Sequence, residues 1–181
     1  ALTSETVVSI ELDITYVMVP STSFFTIADG LEWEDLKAWW SGDGEALTYI
    51  SQDSTIPVMA MEGEDLKLLS KIMGEPVDQN IQIMEGPEII SGLSEGTIAF
   101  SVVPFDKIKK ETKVLDVSGL SVFDRDLQIE DYPFAFSVRL GGDDGAAVSQ
   151  AYSMIKDLSI TNRDMSRLTT IMMTGVTAMA R

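Results

Sequence analysis

Between Val7 and Val19 apolar side chains recur at alternate positions: Val8, Ile10, Leu12, Ile14, Tyr16 and Met18 share one parity. This period of two, in β-branched and aromatic types, predicts a strand ended by Pro20, with Ser21-Thr22-Ser23 as a polar loop beyond it. The period then lengthens. From Asp29-Gly30 onward, Leu31, Trp33, Leu36, Trp39 and Trp40 fall mostly at three- and four-residue steps, which predicts an amphipathic helix with Asp29 as N-cap and Gly42 as stop. Thr48 to Ser51 reads as a short strand, and Pro57 to Met61 is a candidate for another. Glu64 to Met73 carries Leu66, Leu69 and Met73 on one helical face. Ile81 to Met84 reads as a strand. Gly86-Pro87 opens a helix that Gly96 closes, since proline suits the first helical position.

Thr97 to Val103 is a continuous apolar run, the pattern of a strand buried on both faces. Val114 to Val117 and the alternating Phe134 to Leu140 read as further strands, and Ala146 to Leu158 as a helix. Strands and helices alternate, so the expected fold is α/β: a mixed, largely parallel sheet flanked by helices. The expected domains are an α/β unit over residues 1–158, a polar linker over 159–168 and the first strand of a second, truncated domain over 169–181.

The 181 residues suffice for one buried core. Their 29 acidic and 13 basic side chains give a formal charge of −16. Such a surface repels phosphate backbones and anionic lipid, so nucleic acid and membrane surfaces are poor partners. The sequence has no Cys and no His, which removes thiol nucleophiles, Ser-His-Asp triads and nearly every zinc site. A carboxylate-only magnesium or calcium site is compatible with the composition, but no motif for one is present. No apolar run approaches the ~20 residues that span a bilayer.

Three segments resemble a known family. Leu31-Glu-Trp-Glu-Asp-Leu36 with Ala38-Trp-Trp-Ser-Gly42, then Gly96-Thr-Ile-Ala-Phe-Ser-Val-Val103, then Val114-Leu-Asp-Val-Ser-Gly119 with Asp131-Tyr-Pro-Phe134, follow the order of similar segments in phosphate-type periplasmic solute-binding proteins. The resemblance implies one lobe of a type II solute-binding fold. Val103-Pro-Phe-Asp106, Lys113-Val-Leu-Asp-Val-Ser-Gly-Leu-Ser121 and Asp131-Tyr-Pro-Phe134 also resemble the region before the catalytic domain of CapA (poly-γ-glutamate synthesis) family proteins. Thr169 to Arg181 is similar to that domain's opening "Gly-Asp-x-x-x-x-Arg" strand, but Val176 stands where the metal-binding Asp is expected. This second resemblance implies a non-catalytic accessory or ligand-binding role outside the cytoplasm, with no cofactor of its own. The implied partners are a C-terminal CapA-like domain and a small anion or polymer ligand. A stand-alone anion-binding protein and a pure interaction domain are the alternatives.

By the first resemblance, loop hydroxyls at Ser21, Thr22 and Ser23, and at Ser51, Ser54 and Thr55, are the candidate ligand-binding residues. Hydroxyl-rich loops serve as turn chemistry more often than as ligand sites. Trp39 and Trp40 are candidate interface residues, because adjacent helical positions differ by ~100° and one ring is expected to face outward. A core role for the Trp residues is the competing reading. Asp143-Asp144-Gly145 and Asp124-Arg125-Asp126 read as a solvated turn and a local ion-pair cluster.

Overall fold

A computed structural model describes residues 8–51, 53–77, 80–155 and 160–169. In chain order the strands and helices are β1 (Val8–Ser23), β2 (Gly30–Leu31), α1 (Trp33–Trp40), β3 (Met59–Met61), α2 (Gly63–Met73), β4 (Ile81–Ile83) and α3 (Gly86–Glu95). They continue with β5 (Phe100–Pro104), β6 (Thr112–Val114), β7 (Asp116–Val117), β8 (Ala135–Gly142), α4 (Gly145–Ile155) and β9 (Ile160–Thr161). The main sheet is mixed, and its strand order is β4-β3-β5-β1-β6. Strands β4, β3 and β5 run parallel, joined through α2 and α3, while β1 lies antiparallel beside β5.

β1 is the spine of the molecule. Its first half pairs with β8 (antiparallel) and β9 (parallel), across a register shift between Glu11 and Thr15. Its second half pairs with β5 and β6. The strand does not stop at Pro20, as the sequence suggests, but runs on through Ser23. The Pro20 carbonyl accepts from Leu115 N at 2.9 Å, so its nitrogen also faces the β6 side. The β6 ladder covers only Ser21 to Ser23, so the missing N–H falls where no ladder bond is required.

The core packs between this sheet and α1. Trp39 and Phe100 meet edge-on at 5.3 Å, and Trp33 and Phe134 at 5.0 Å. Neither Trp39 nor Trp40 is a surface residue, which corrects the interface assignment: both are essentially inaccessible. The ~100° between neighbours is accommodated because α1 is covered on two sides. Trp39 faces the sheet, and Trp40 is roofed by the segment after α2, where its indole Nε1 donates to Gly74 O at 2.8 Å and Val77 N donates to Trp40 O at 3.0 Å.

Two further boundaries shift. Helix α1 starts at Trp33 with Glu32 at the N-cap, because Gly30 and Leu31 pair with Asp116 and Val117 instead. Thr48–Ile50 is a 3-10 turn and not a strand. The polar stretch from residue 160 is tied to the sheet: Asn162 Nδ2 donates to Val17 O at 2.8 Å, and Val17 N donates to Asn162 Oδ1 at 2.7 Å. The strand expected from Thr169 onward lies, from residue 170, outside the described residues. Among the described residues no helix is long and apolar enough to cross a membrane.

Candidate functional site

In an open α/β sheet, ligands bind outside the carboxyl ends of the parallel strands. Here a groove of about 550 Å³ begins at those ends. Glu62 follows β3 directly, Asp65 lies in the first turn of α2, and Gly86 and Pro87 open α3. The groove then runs across the sheet face. Ser21 and Val103 form its floor, and Ile89, Ile90 and Leu93 of α3 form one wall. The crossing segment from Lys107 to Thr112 forms the other wall. The α3 wall of the groove is therefore apolar, the facing wall brings Lys109, Glu111 and Thr112, and the end near β3 carries Glu62, Asp65 and Lys107.

Three side chains meet at the charged end. Lys107 Nζ donates to Glu62 Oε2 at 2.7 Å and stands 3.9 Å from Asp65 Oδ2. Gly86 makes room for this arrangement, since a Cβ there would sit 3.3 Å from Glu62 Oε1. The bond to Glu62 holds the Lys107 ammonium above its ordinary range. Asp65 is only 6% exposed, and burial raises its carboxyl above the usual value, with Lys107 offsetting part of the shift. Tyr16, close by, is raised by burial and then by Asp65 and Asp106. Lys107 itself is about half exposed, so its ion pairs are worth little on their own.

The helix N-termini at this end are already supplied with acid. α2 has Glu62 at its N-cap and Glu64 and Asp65 in its first turn. α3 carries a full capping box, in which the Glu85 side chain accepts from the third backbone N–H and Glu88 returns to Glu85 N. These are the positions where backbone N–H groups would otherwise face an anion.

The six hydroxyl residues expected from sequence do not converge. Ser21 lines the groove floor, paired across the sheet with Ser101. Thr22 and Ser23 are buried in β1, and Thr22 Oγ1 is spent on Ala99 O (2.6 Å) and Thr26 Oγ1 (2.8 Å). Ser51 and Thr55 lie instead by a smaller hollow of about 230 Å³, lined by Val58, Ile98 and Ala99 at the opposite, amino ends of β3 and β5. There Asp53 Oδ1 accepts from both Thr55 N (3.2 Å) and Thr55 Oγ1 (2.6 Å), while Ser54 takes a left-handed φ of 58°. That is turn chemistry. Sequence reasoning missed Glu62, Asp65 and Lys107. The available signal was the acidic start of α2 directly after an apolar strand, Met59-Ala-Met-Glu-Gly-Glu-Asp65.

Asp144 serves as a helix cap, its Oδ1 accepting from Ala146 N (2.9 Å) and Ala147 N (3.2 Å). Asp124 Oδ1 accepts from Asp126 N at 2.9 Å. Among the described residues no group of three or more acidic side chains is arranged to hold a metal ion. The turn after β1 exposes three large apolar side chains, Phe24, Phe25 and Ile27, which are 61%, 82% and 96% exposed.

No protein-family model matches the chain, and no curated protein matches it. Solved structures do. A protein described as an ABC-type phosphate transport receptor, from Vibrio cholerae, superposes with a TM-score of 0.67 at 13% identity, over 86% of this chain and 69% of that one. A protein described as a phosphate ABC transporter substrate-binding protein, from Clostridium perfringens and holding phosphate, superposes with a TM-score of 0.57 at 12% identity. That match covers 82% of this chain and 65% of the other, so the chain spans just under two thirds of that protein's length. At such identities the likeness is one of fold: the chain has the mixed α/β architecture of periplasmic solute-binding proteins.

Proposed function

We propose that this chain is a non-catalytic, extracytoplasmic ligand-binding lobe of solute-binding type, and that its ligand enters the groove between α3 and the Lys107–Thr112 segment. The observation that carries the reading is the place of the groove. It opens at the carboxyl ends of β3 and β5 with the N-termini of α2 and α3 beside it, where this class of sheet binds ligands. The structural neighbours named for phosphate transport support a small-solute role over a catalytic one.

A second reading attaches this lobe to a larger capsule or poly-γ-glutamate synthesis protein of the CapA type, as an accessory domain preceding that protein's catalytic domain. The run of motifs from Val103-Pro-Phe-Asp106 to the Gly175 and Arg181 matches favours it. The two readings are compatible, since an accessory lobe can retain a ligand groove.

The test is thermal unfolding of the chain against phosphate, sulfate, calcium, magnesium, amino acids, glutamate oligomers and simple sugars. A ligand present at ~100 times its dissociation constant adds about 2.7 kcal/mol, roughly 5–10 °C at this size. A shift with one class, abolished by Ile90→Glu in the groove wall, is the expected result. No shift with any class would overturn the ligand-binding reading.

A further inference from the structure

We propose that the groove takes a primary ammonium group carried on an apolar body, and that it rejects phosphate. This rests on the groove being a ligand site and names the class of ligand.

Two observations lead there. The first is the cavity itself, with a long apolar wall of Pro87, Ile89, Ile90 and Leu93 leading to a charged end. An aliphatic body along that wall would leave water, while its terminal group would lie beside Glu62 and Asp65. The second is Asp65. Its side chain lines the groove, is buried, and makes no hydrogen bond among the described residues, the nearest cation being Lys107 Nζ at 3.9 Å. A buried carboxylate without a donor calls for one. Lys107 shows that an ammonium fits between the two acids, yet its reach from the opposite wall satisfies Glu62 and stops short of Asp65.

Phosphate meets the opposite situation. The N-terminal turns of α2 and α3 hold Glu62, Glu64, Asp65, Glu85 and Glu88, so the helix ends that could bind an anion already face carboxylates of this chain. The groove's own lining sets Glu62, Asp65 and Glu111 against Lys107 and Lys109, an excess of negative charge that favours an ammonium and opposes phosphate.

The experiment titrates the full chain by calorimetry, in ~150 mM salt to screen the general surface charge, with hexylammonium, hexanoate and inorganic phosphate. Hexylammonium is expected to bind, and phosphate and hexanoate are not. Asp65→Asn and Glu62→Gln, both close in size to the parent residues, should each weaken hexylammonium by about tenfold, the usual worth of one charge-assisted hydrogen bond. Lys107→Met, which removes the competing cation, should tighten it. That opposite sign separates a role in binding from simple damage to the fold. Hexylammonium binding that is unchanged in both acid variants would overturn the proposal as mere surface attraction. Phosphate binding, or binding of another solute from the wider panel without hexylammonium, would overturn the ammonium class and leave the ligand-binding reading standing. No binding in either set would overturn both.

Discussion

Replacing Gly92 by alanine pits two effects of known size against each other. Gly92 lies inside α3, where alanine is ordinarily worth about 1 kcal/mol over glycine. A Cβ at this position would stand 2.6 Å from Ile98 Cγ1 and 3.3 Å from Thr97 Oγ1. Ordinary carbon contacts lie at ~3.5–4.0 Å, so roughly 1 Å of movement is needed. Ile98 cannot give it easily: it is buried with Ala60, Ile89 and Leu93, and its N–H donates to Gly92 O at 3.1 Å. Overpacking of this kind costs about 1–3 kcal/mol. The clash should win, leaving Gly92→Ala destabilised by up to about 2 kcal/mol, or up to roughly 8 °C in midpoint at this chain length. Urea and thermal unfolding of the parent, Gly92→Ala, Ile98→Ala and the double variant would measure it. In the double variant the obstructing Cγ1 is gone, so a favourable coupling of at least about 1 kcal/mol is expected. A stabilised Gly92→Ala, or strict additivity with Ile98→Ala, would refute the close packing of α3 on which the groove wall depends.

Three further outcomes follow from buried or exposed groups. The Tyr132 hydroxyl is buried with no partner among the described residues, and burial lifts it well above the ordinary tyrosine range. Tyr132→Phe should therefore hold or raise stability by up to about 1 kcal/mol, and a loss beyond that in urea unfolding would reveal a missing partner. Asp65 gives a pH dependence. Burial raises its carboxyl, so the folded chain keeps this proton at pH values where the unfolded chain has lost it, and stability declines as pH rises from the ordinary carboxylate value through the raised one. Asp65→Asn should be the more stable protein above that window and converge with the parent below it; parallel stability curves would contradict the assignment. Finally, replacing Phe24 and Phe25 together by serine should change stability by no more than ~0.5 kcal/mol while lowering self-association in sedimentation, because both rings are exposed.

The pattern of apolar positions along the chain was enough to place α2, α3, β5 and β8 and to give the α/β class, because α2, α3 and β5 bury apolar side chains and β8 keeps its alternation although it is only partly covered. Two kinds of feature were not legible. Pro20 suggests a strand end, and only the register of β6 shows why the strand tolerates it. Trp39 and Trp40 look incompatible as joint core residues until the segment around Gly74 and Val77 is seen to roof α1. The groove was hidden for a related reason. Glu62 and Asp65 face Lys107 across 42 positions or more of sequence, and only Ser21 among the six hydroxyl candidates shares their cavity. Local chemistry identified the turn at Asp53 to Thr55 correctly as hydroxyl-rich, but nothing local distinguishes a turn from a ligand loop.

Acidic residues in the first turn of a helix have an ordinary explanation, since each stabilises the helix by about 0.3–1 kcal/mol through the helix dipole. Glu64 fits it. It is exposed, pairs with Lys67 at 2.8 Å one turn on, and that partner holds its carboxyl below the usual value. Its neighbour Asp65 does not fit, although it sits in the same turn. A carboxylate present for the helix would be held in its charged form, whereas burial pushes Asp65 toward the neutral one. Removing Glu64's charge should therefore cost little stability and leave ligand binding alone. Removing that of Asp65 should stabilise the empty protein and abolish most of its affinity for an ammonium. An opposite sign in stability and affinity at one residue is what a binding site held at the expense of the fold would show. If Asp65→Asn lost both, Asp65 would be a structural acid and the charged end of the groove would be a product of helix capping.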